Sequence, residues 1–482
     1  MTTTPASLPP APPELLAGSE ELWENDALPV LSEYVRIRCL SPEFDAEWAD
    51  RGEIRRAADL LASWARDRQI SGLRVEVVEL PGLTPVVLAE APATGAGAGE
   101  ATTLLYGHLD KQPPLGAWRS GLAPFEPVRE GDRLYGRGTA DDGYSIFAAL
   151  GAIELLERAG LPHGRCIAII EASEESGSPH LGAYLELLGQ RIGPAGPALV
   201  VGLDSGATTY DRLWTTTSLR GLVAATLRVR VLEEAIHSGA GGGVVPDSFR
   251  LLRQLLSRIE DEQTGKVLLD SVEVPIPPGR CREAEALLAE IGGASLDRFP
   301  TTAGLVLAGG ASEHEALLAR SWSASLAVIG MDGLPAVADA GNVIRPFTTA
   351  KLSLRIPPSA DAAAVAAELA AALSADPPDG AEVEVADAVG ADGFDAPEMA
   401  PWLEAATEQA SLSYFGAPAR GMGEGGTIPF LSELQRSCPS AQFLVTGVLG
   451  PESNAHGPNE MLHLPTAIRV TAAVAHVLSR VP

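Results

Sequence analysis

Over roughly its first 215 residues the chain repeats one pattern: a short apolar run bounded by turn residues, then a stretch with helical spacing. The runs are "TPVVLAEAP", "ATTLLYGHLD", "GRCIAIIEASEESGS" and "PALVVGLDSG", and "YSIFAALGAIELLERAGL" is a strong helix among them. Strands alternating with helices leave few architectures open. The pattern predicts an α/β fold whose mostly parallel sheet is flanked by helices. Such a sheet gathers ligands beyond the carboxyl ends of its strands. There the chain places side chains that can hold a metal: His108 and Asp110, Asp141 and Asp142, Glu174 and Glu175, and Asp204, with His456 in a later loop.

The pattern then changes. "GLVAATLRVRVL", "TTAKLSLRIPP" and "AEVEVADAV" alternate apolar and polar residues, and two amphipathic or Ala-rich helices lie between them. Clean alternation predicts a half-exposed sheet in a smaller α+β domain. Helices and apolar strands resume near Pro397. The expected organisation is a first domain in two parts, residues 1–216 and 394–482, interrupted by an inserted domain at 217–393.

Composition narrows the class. A formal charge of −28 sets aside nucleic acid and anionic lipid as partners. The four cysteines are far apart, with no CxxC spacing, so neither a thiolate zinc site nor a disulfide framework is expected. The N-terminus has no basic n-region or apolar h-region, and no apolar run reaches membrane-spanning length. The expectation is a cytoplasmic enzyme or binding protein with no membrane partner.

Each polar cluster has a plain reading beside the chemical one. His108 could be a structural strand-end histidine. Asp110, two residues on, shares its face and could accept the imidazole's second N–H, fixing the tautomer that offers a lone pair to a metal. Asp141 or Asp142 could cap the helix that starts near Tyr144. The adjacent Glu174 and Glu175 could be a solvated acidic loop. Alternatively one binds a cation while the other stays free nearby, as a general base requires. Together, the His and carboxylate donors without thiolates suit zinc, manganese or cobalt, and two such ions about 3.5–4 Å apart would make a hydrolase.

In order along the chain stand "YGHLDKQPP", "LYGRGTADDG", "EASEESGS", "LDSG", "IHSGAGGG", "NVIRPFTTAKLSLRIPP", "GEGGTIPF" and "NAHGPNEM". With these motifs the chain resembles the M20 metallopeptidases, in particular the longer dipeptidase branch that includes the carnosinases. The resemblance implies that His108 and Asp204 hold one metal, Glu175 and His456 the other, and Asp141 bridges them. It implies a cis peptide at Asp141–Asp142, Glu174 as general base and Asp110 as the residue orienting His108. It further implies that the inserted domain is a lid that also makes a homodimer. His237 would reach a second copy's active site to stabilise an oxyanion, and Arg355 would bind a substrate carboxylate. Asn342, Gly425, Gly426 and Thr427 would contact substrate.

Three departures bear on specificity. Gly423 stands where many relatives carry Arg before "EGGSIP", Lys111 follows Asp110 in place of a small apolar residue, and "DDGYS" replaces "DDKG". Lys111 is a candidate replacement for the missing cation, or it points away. The activity implied is two-metal hydrolysis of a dipeptide or short peptide. The alternatives are an N-acyl amino acid deacylase or carboxypeptidase of the same family, and a catalytically silent binding protein on this fold. Outside the motifs, His163 and His314 read as surface residues, and His463 as a neighbour of the site.

Overall fold

The computed structural model describes residues 10–95, 101–192, 196–292, 299 and 301–482. It divides into two compact units. One runs through Thr216 and takes in Ala396–Gly421 and Glu433–Pro482, while the other comprises Thr217–Asp395 and Met422–Ser432.

The first unit is built on a six-stranded sheet in the order Arg74–Val78, Val86–Ala91, Arg165–Glu171, Thr102–His108, Leu199–Gly202, Gln442–Val445. The last four are parallel neighbours, and the first two add an antiparallel edge. Every residue of Thr102–His108 is buried, as a strand covered on both faces must be, which is why it reads as a continuous apolar run. The helices Ser145–Arg158 and Leu464–Leu478 pack against each other and are buried along almost their whole length. Trp23, Trp64 and Phe147 meet in the same core.

Register places the site. His108 lies opposite Glu171, and Tyr106 opposite Gly202. Three parallel strands therefore end together, and their following residues emerge at one edge of the sheet: Leu109–Lys111, the loop after Glu171, and Leu203–Asp204.

The second unit is an antiparallel sheet in the order Ser325–Asp332, Phe347–Ile356, Gly221–Arg230, Glu382–Ala391. Gly221–Arg230 alternates buried and open positions. The helices Ser248–Leu256 and Ala362–Ser374 cover the buried face, each capped by an aspartate side chain, Asp247 and Asp361. Among the described residues no helix is long and apolar enough to cross a membrane.

Candidate metal centre

The strand ends bring His108, Asp141, Glu174, Glu175 and Asp204 together, and the loop ending at Glu460 adds His456. His108 Nε2 stands 3.2 Å from Asp141 Oδ1, 3.7 Å from Asp204 Oδ2 and 4.0 Å from Glu174 Oε2. His456 Nε2 stands 3.2 Å from Asp141 Oδ2 and 3.1 Å from Glu175 Oε2. Asp141 thus turns one carboxylate oxygen to each histidine. Two groups have donor atoms close enough to share an ion, His108–Asp141–Glu175 and His108–Glu174–Asp204.

The charges here are not balanced by the protein. Burial raises Asp204 to about 7, with Asp141 adding to the rise. Burial also raises Glu174, and the neighbouring carboxylates Asp204, Glu175 and Glu171 push the same way. Burial opposes the charged form of His456, yet its contacts with Asp141 and Glu175 lift it to about 11. Burial would raise Asp141 as well, but the two histidines hold it below the ordinary carboxylate range. His108 Nε2, Glu175 Oε1 and Asp142 Oδ1, all buried and able to donate lone pairs, have no hydrogen-bond partner among the described residues. Crowded carboxylates around an unpartnered imidazole nitrogen are the electrostatic shape of a cation site. The donor set of His and carboxylate oxygens fits zinc-like ions.

Neighbours hold the donors in place. The Asp110 carboxylate accepts the backbone N–H groups of Glu174 and Glu175 at 3.1 and 3.0 Å. The nearer acceptor for His108 Nδ1 is therefore the Asp110 backbone carbonyl at 3.2 Å, with Oδ1 at 3.5 Å. The carboxylate is drawn to the amides because the first N–H groups of the short turn Glu174–Ser176 have no helical partner. Asp110 thus orients the glutamate pair as well as the histidine.

Neither Asp141 nor Asp142 caps the helix Ser145–Arg158 through its side chain. Asp142 Oδ2 instead accepts the His108 N–H at 3.1 Å, and the Asp141–Asp142 peptide is cis. His456 has a φ of 61°, in the left-handed region that few side chains adopt.

Several residues here escaped the sequence reading although they lie inside the quoted motifs. Gln112 Nε2 donates to Glu175 Oε2 at 2.7 Å. Glu460, fully buried, accepts the backbone N–H groups of Gly138, Ala140 and Asp141 and pairs with the buried Arg137 at 2.7 Å. Arg137 also donates to the Gly457 and Pro113 carbonyls. The His456 loop and the Asp141 loop are joined through these two side chains. A charged residue inside a glycine-rich motif, such as the Arg of "GRG", is the signal that could have found them.

Other expectations change. Lys111 is buried and donates to the carbonyls of Tyr34, Val35 and Ile37 at the end of the helix Leu28–Val35. It caps that helix and does not replace the cation missing at Gly423. His163 is buried, not on the surface, with Nε2 bonded to Thr94 Oγ1, and His314 is half-buried. His463 bonds Thr466 and stacks on Tyr210.

The remaining predicted residues lie in the second unit, in two groups. His237 is exposed, and its short strand Ile236–His237 pairs with Val343–Ile344, with Ser238 N–H donating to the Asn342 carbonyl at 2.9 Å. Arg355 is half-buried and donates to Thr427 Oγ1 at 2.9 Å. Gly425 lies beside Arg220, and Gly426 faces open space.

Residues 104–480 match the family model for Peptidase family M20/M25/M40, well over half of the chain. The chain belongs to this peptidase family. Among similar M20-type proteins, the cysteinylglycine-S-conjugate dipeptidase of Corynebacterium striatum is 29% identical over 77% of this chain and 79% of its own. Two solved structures share the fold. Human carnosine dipeptidase 1 has a TM-score of 0.74 at 22% identity, covering 97% of this chain and 99% of that one. A metallo-carboxypeptidase of this family from Sulfolobus solfataricus has a TM-score of 0.75 at 21% identity, covering 95% and 99%.

Proposed function

We propose that this chain is a dipeptidase, a hydrolase that depends on two divalent ions and cleaves the amide bond of a dipeptide or short peptide. The observation that carries the reading is the Asp141 carboxylate, with one oxygen 3.2 Å from each of two histidine nitrogens that face further carboxylates. His108 and Asp204 would hold one ion, Glu175 and His456 the other, and Asp141 both, with zinc the expected metal and manganese or cobalt as substitutes. The bound ions would polarise the amide carbonyl and lower the pKa of a water.

Glu174 is the base in this reading. Its carboxyl is raised by burial and by neighbouring carboxylates, which favours its taking a proton from water and returning it to the leaving amine. Its backbone is fixed by Asp110, which keeps Oε2 beside the His108 group. Arg355 would bind a substrate carboxylate through its guanidinium fork, with Asn342, Gly425, Gly426 and Thr427 as further substrate contacts. The second unit would act as lid and dimer contact. Its edge strand Ser325–Asp332 exposes Val328, Ile329 and Met331, and the exposed His237 would serve a second copy's site. The relative's dipeptidase name favours a dipeptide over an N-acyl amino acid. Four cysteines free of disulfides are consistent with a cytoplasmic setting.

Metal analysis of the purified protein, paired with hydrolysis of a panel of dipeptides and N-acyl amino acids before and after chelation, tests this. About two ions per chain and chelator-sensitive cleavage of dipeptides are expected. No bound ion after zinc or manganese is supplied would sink the reading, and selective cleavage of N-acyl amino acids would move it to the deacylases.

A further inference from the structure

Arg355 is the cross-strand partner of Ser325 on one side and Leu222 on the other. Thr427 Oγ1, which accepts from Arg355, donates in turn to the Arg220 carbonyl at 2.5 Å. The Arg220 side chain lies over the same ladder: Nη1 donates to Ser323 O at 3.2 Å and to Ser325 Oγ at 3.0 Å. Two guanidinium groups are therefore built into one corner of the second unit. Among the described residues neither has an ion-pair partner. Arg220 Nε is buried without a hydrogen-bond partner. Its Nη2 lies beside Gly425, where a Cβ would stand 3.0 Å away, so glycine lets that backbone approach the guanidinium.

This is an unusual arrangement in a chain carrying a net charge of −28. Burial, with the nearby guanidinium groups of Arg355 and Arg320, lowers Arg220 to about 10, and burial lowers Arg355. Gathering cations without an acid costs free energy unless a ligand brings the acid. The same corner explains the departure at Gly423. A Cβ there would lie 2.6 Å from Ser218 Oγ and 2.7 Å from Ser321 Cβ, so no arginine fits at that position.

We propose that Arg220 and Arg355 form a receptor for two carboxylates on one small molecule, the aspartate or glutamate at the carboxyl end of an acidic dipeptide. A monoanion would leave one of the two half-buried charges unmatched. A dicarboxylate matches both, with a charge-assisted N–H bond from each guanidinium to one carboxylate. The word dipeptide rests on the function proposed above; the receptor does not.

Titration calorimetry on the full-length protein, zinc-loaded and after chelation, tests the receptor with glutamate, glutamine and inorganic phosphate as probes. Glutamate is expected to bind at least about tenfold more tightly than glutamine, equivalent to about 1.4 kcal/mol, with or without chelator. Arg220→Met should bring the two to parity, and Arg220→Lys, which keeps the charge but loses the fork, should fall between. Equal binding of glutamate and glutamine by the wild type, phosphate binding as tight as glutamate, or glutamate binding that vanishes on chelation would each overturn the proposal without any variant having to fold. In parallel, the zinc-loaded enzyme should favour Ala-Glu over Ala-Gln by a similar factor. Cleavage of both at one rate with no glutamate preference removes the receptor and leaves the dipeptidase. Arg220-dependent glutamate binding with no dipeptide cleaved keeps the receptor and removes the dipeptidase.

Discussion

Each unit holds one cluster of like charge, and the two clusters are opposite in sign. In the first, Asp141, Glu174, Glu175 and Asp204 crowd around histidine nitrogens, and the surplus is negative. In the second, Arg220 and Arg355 have no ion-pair partner among the described residues, and the local surplus is positive. By contrast, Arg137 and Glu460 form a fully buried pair with every Glu460 oxygen bonded, and three backbone carbonyls satisfy the buried Lys111. The contrast teaches how to read buried charge. A balanced pair holds structure together, whereas an unbalanced group marks where something from outside completes the chemistry.

The sharpest test of the negative cluster separates its base from its ligands. Glu174→Ala should cut turnover by about 10²–10⁴-fold, the usual weight of a general base, while the metal content measured by mass spectrometry stays at the wild-type value. Turnover that survives would show that Glu174 is not the base; metal lost with it would show that Glu174 is a ligand, as its place in the His108–Glu174–Asp204 group allows.

A second test compares balanced with unbalanced charge directly. Glu460→Leu leaves Arg137 buried and unpaired, and should destabilise the protein by about 3–5 kcal/mol in urea denaturation. Arg220→Met removes a cation that has no acid partner, and should leave stability unchanged or raise it. If both variants lose the same stability, the distinction between paired and unpaired charge fails. A smaller effect follows from removing ions. Chelation should lower stability by about 2.7 kcal/mol for each ion held at 100 times its Kd, and Asp141→Ala should abolish that difference. An unchanged melting temperature on chelation would argue that the acid cluster needs no cation.

How much of this was legible in the sequence depends on the distance over which each signal acts. The parallel sheet showed because strands such as Thr102–His108, buried throughout, must be apolar throughout. The antiparallel sheet showed because Gly221–Arg230 alternates. The convergence of His108 with the loop after Glu171 followed from strand ends in a parallel sheet. Side-chain destinations were another matter. Lys111 beside Asp110 looked like a cation for the site, but three carbonyls at the end of the helix Leu28–Val35 hold it. The Asp110 carboxylate, expected on His108, lies 3.5 Å from its Nδ1 and also accepts the amides of Glu174 and Glu175. Glu460 lies more than 300 residues from Gly138 and Ala140, whose amides it accepts. These choices are set by backbone donors and acceptors that acquire a position only when the chain has folded, so no local pattern announces them.

The smallest expected effect lies far from either cluster and concerns a buried histidine that is neutral. His476, in the helix Leu464–Leu478, is fully enclosed, and its Nε2 bonds Gln409 Oε1 at 3.0 Å. Burial, with Arg480 nearby, lowers its pKa to about 4. The unfolded chain returns it to the ordinary value of about 6.5. Between these two values the unfolded state binds a proton that the folded state does not, so acid favours unfolding. Stability from this residue is fully present above about pH 6.5 and is lost progressively as pH falls toward 4. The loss by pH 5 should be about 1–2 kcal/mol. His476→Gln keeps a polar partner for Gln409 and cannot titrate, so its stability in urea should fall less than that of the wild type between pH 7 and pH 5. If the two proteins keep a constant difference across that range, His476 does not titrate on unfolding, and the acid sensitivity of the fold lies in the carboxylate cluster instead.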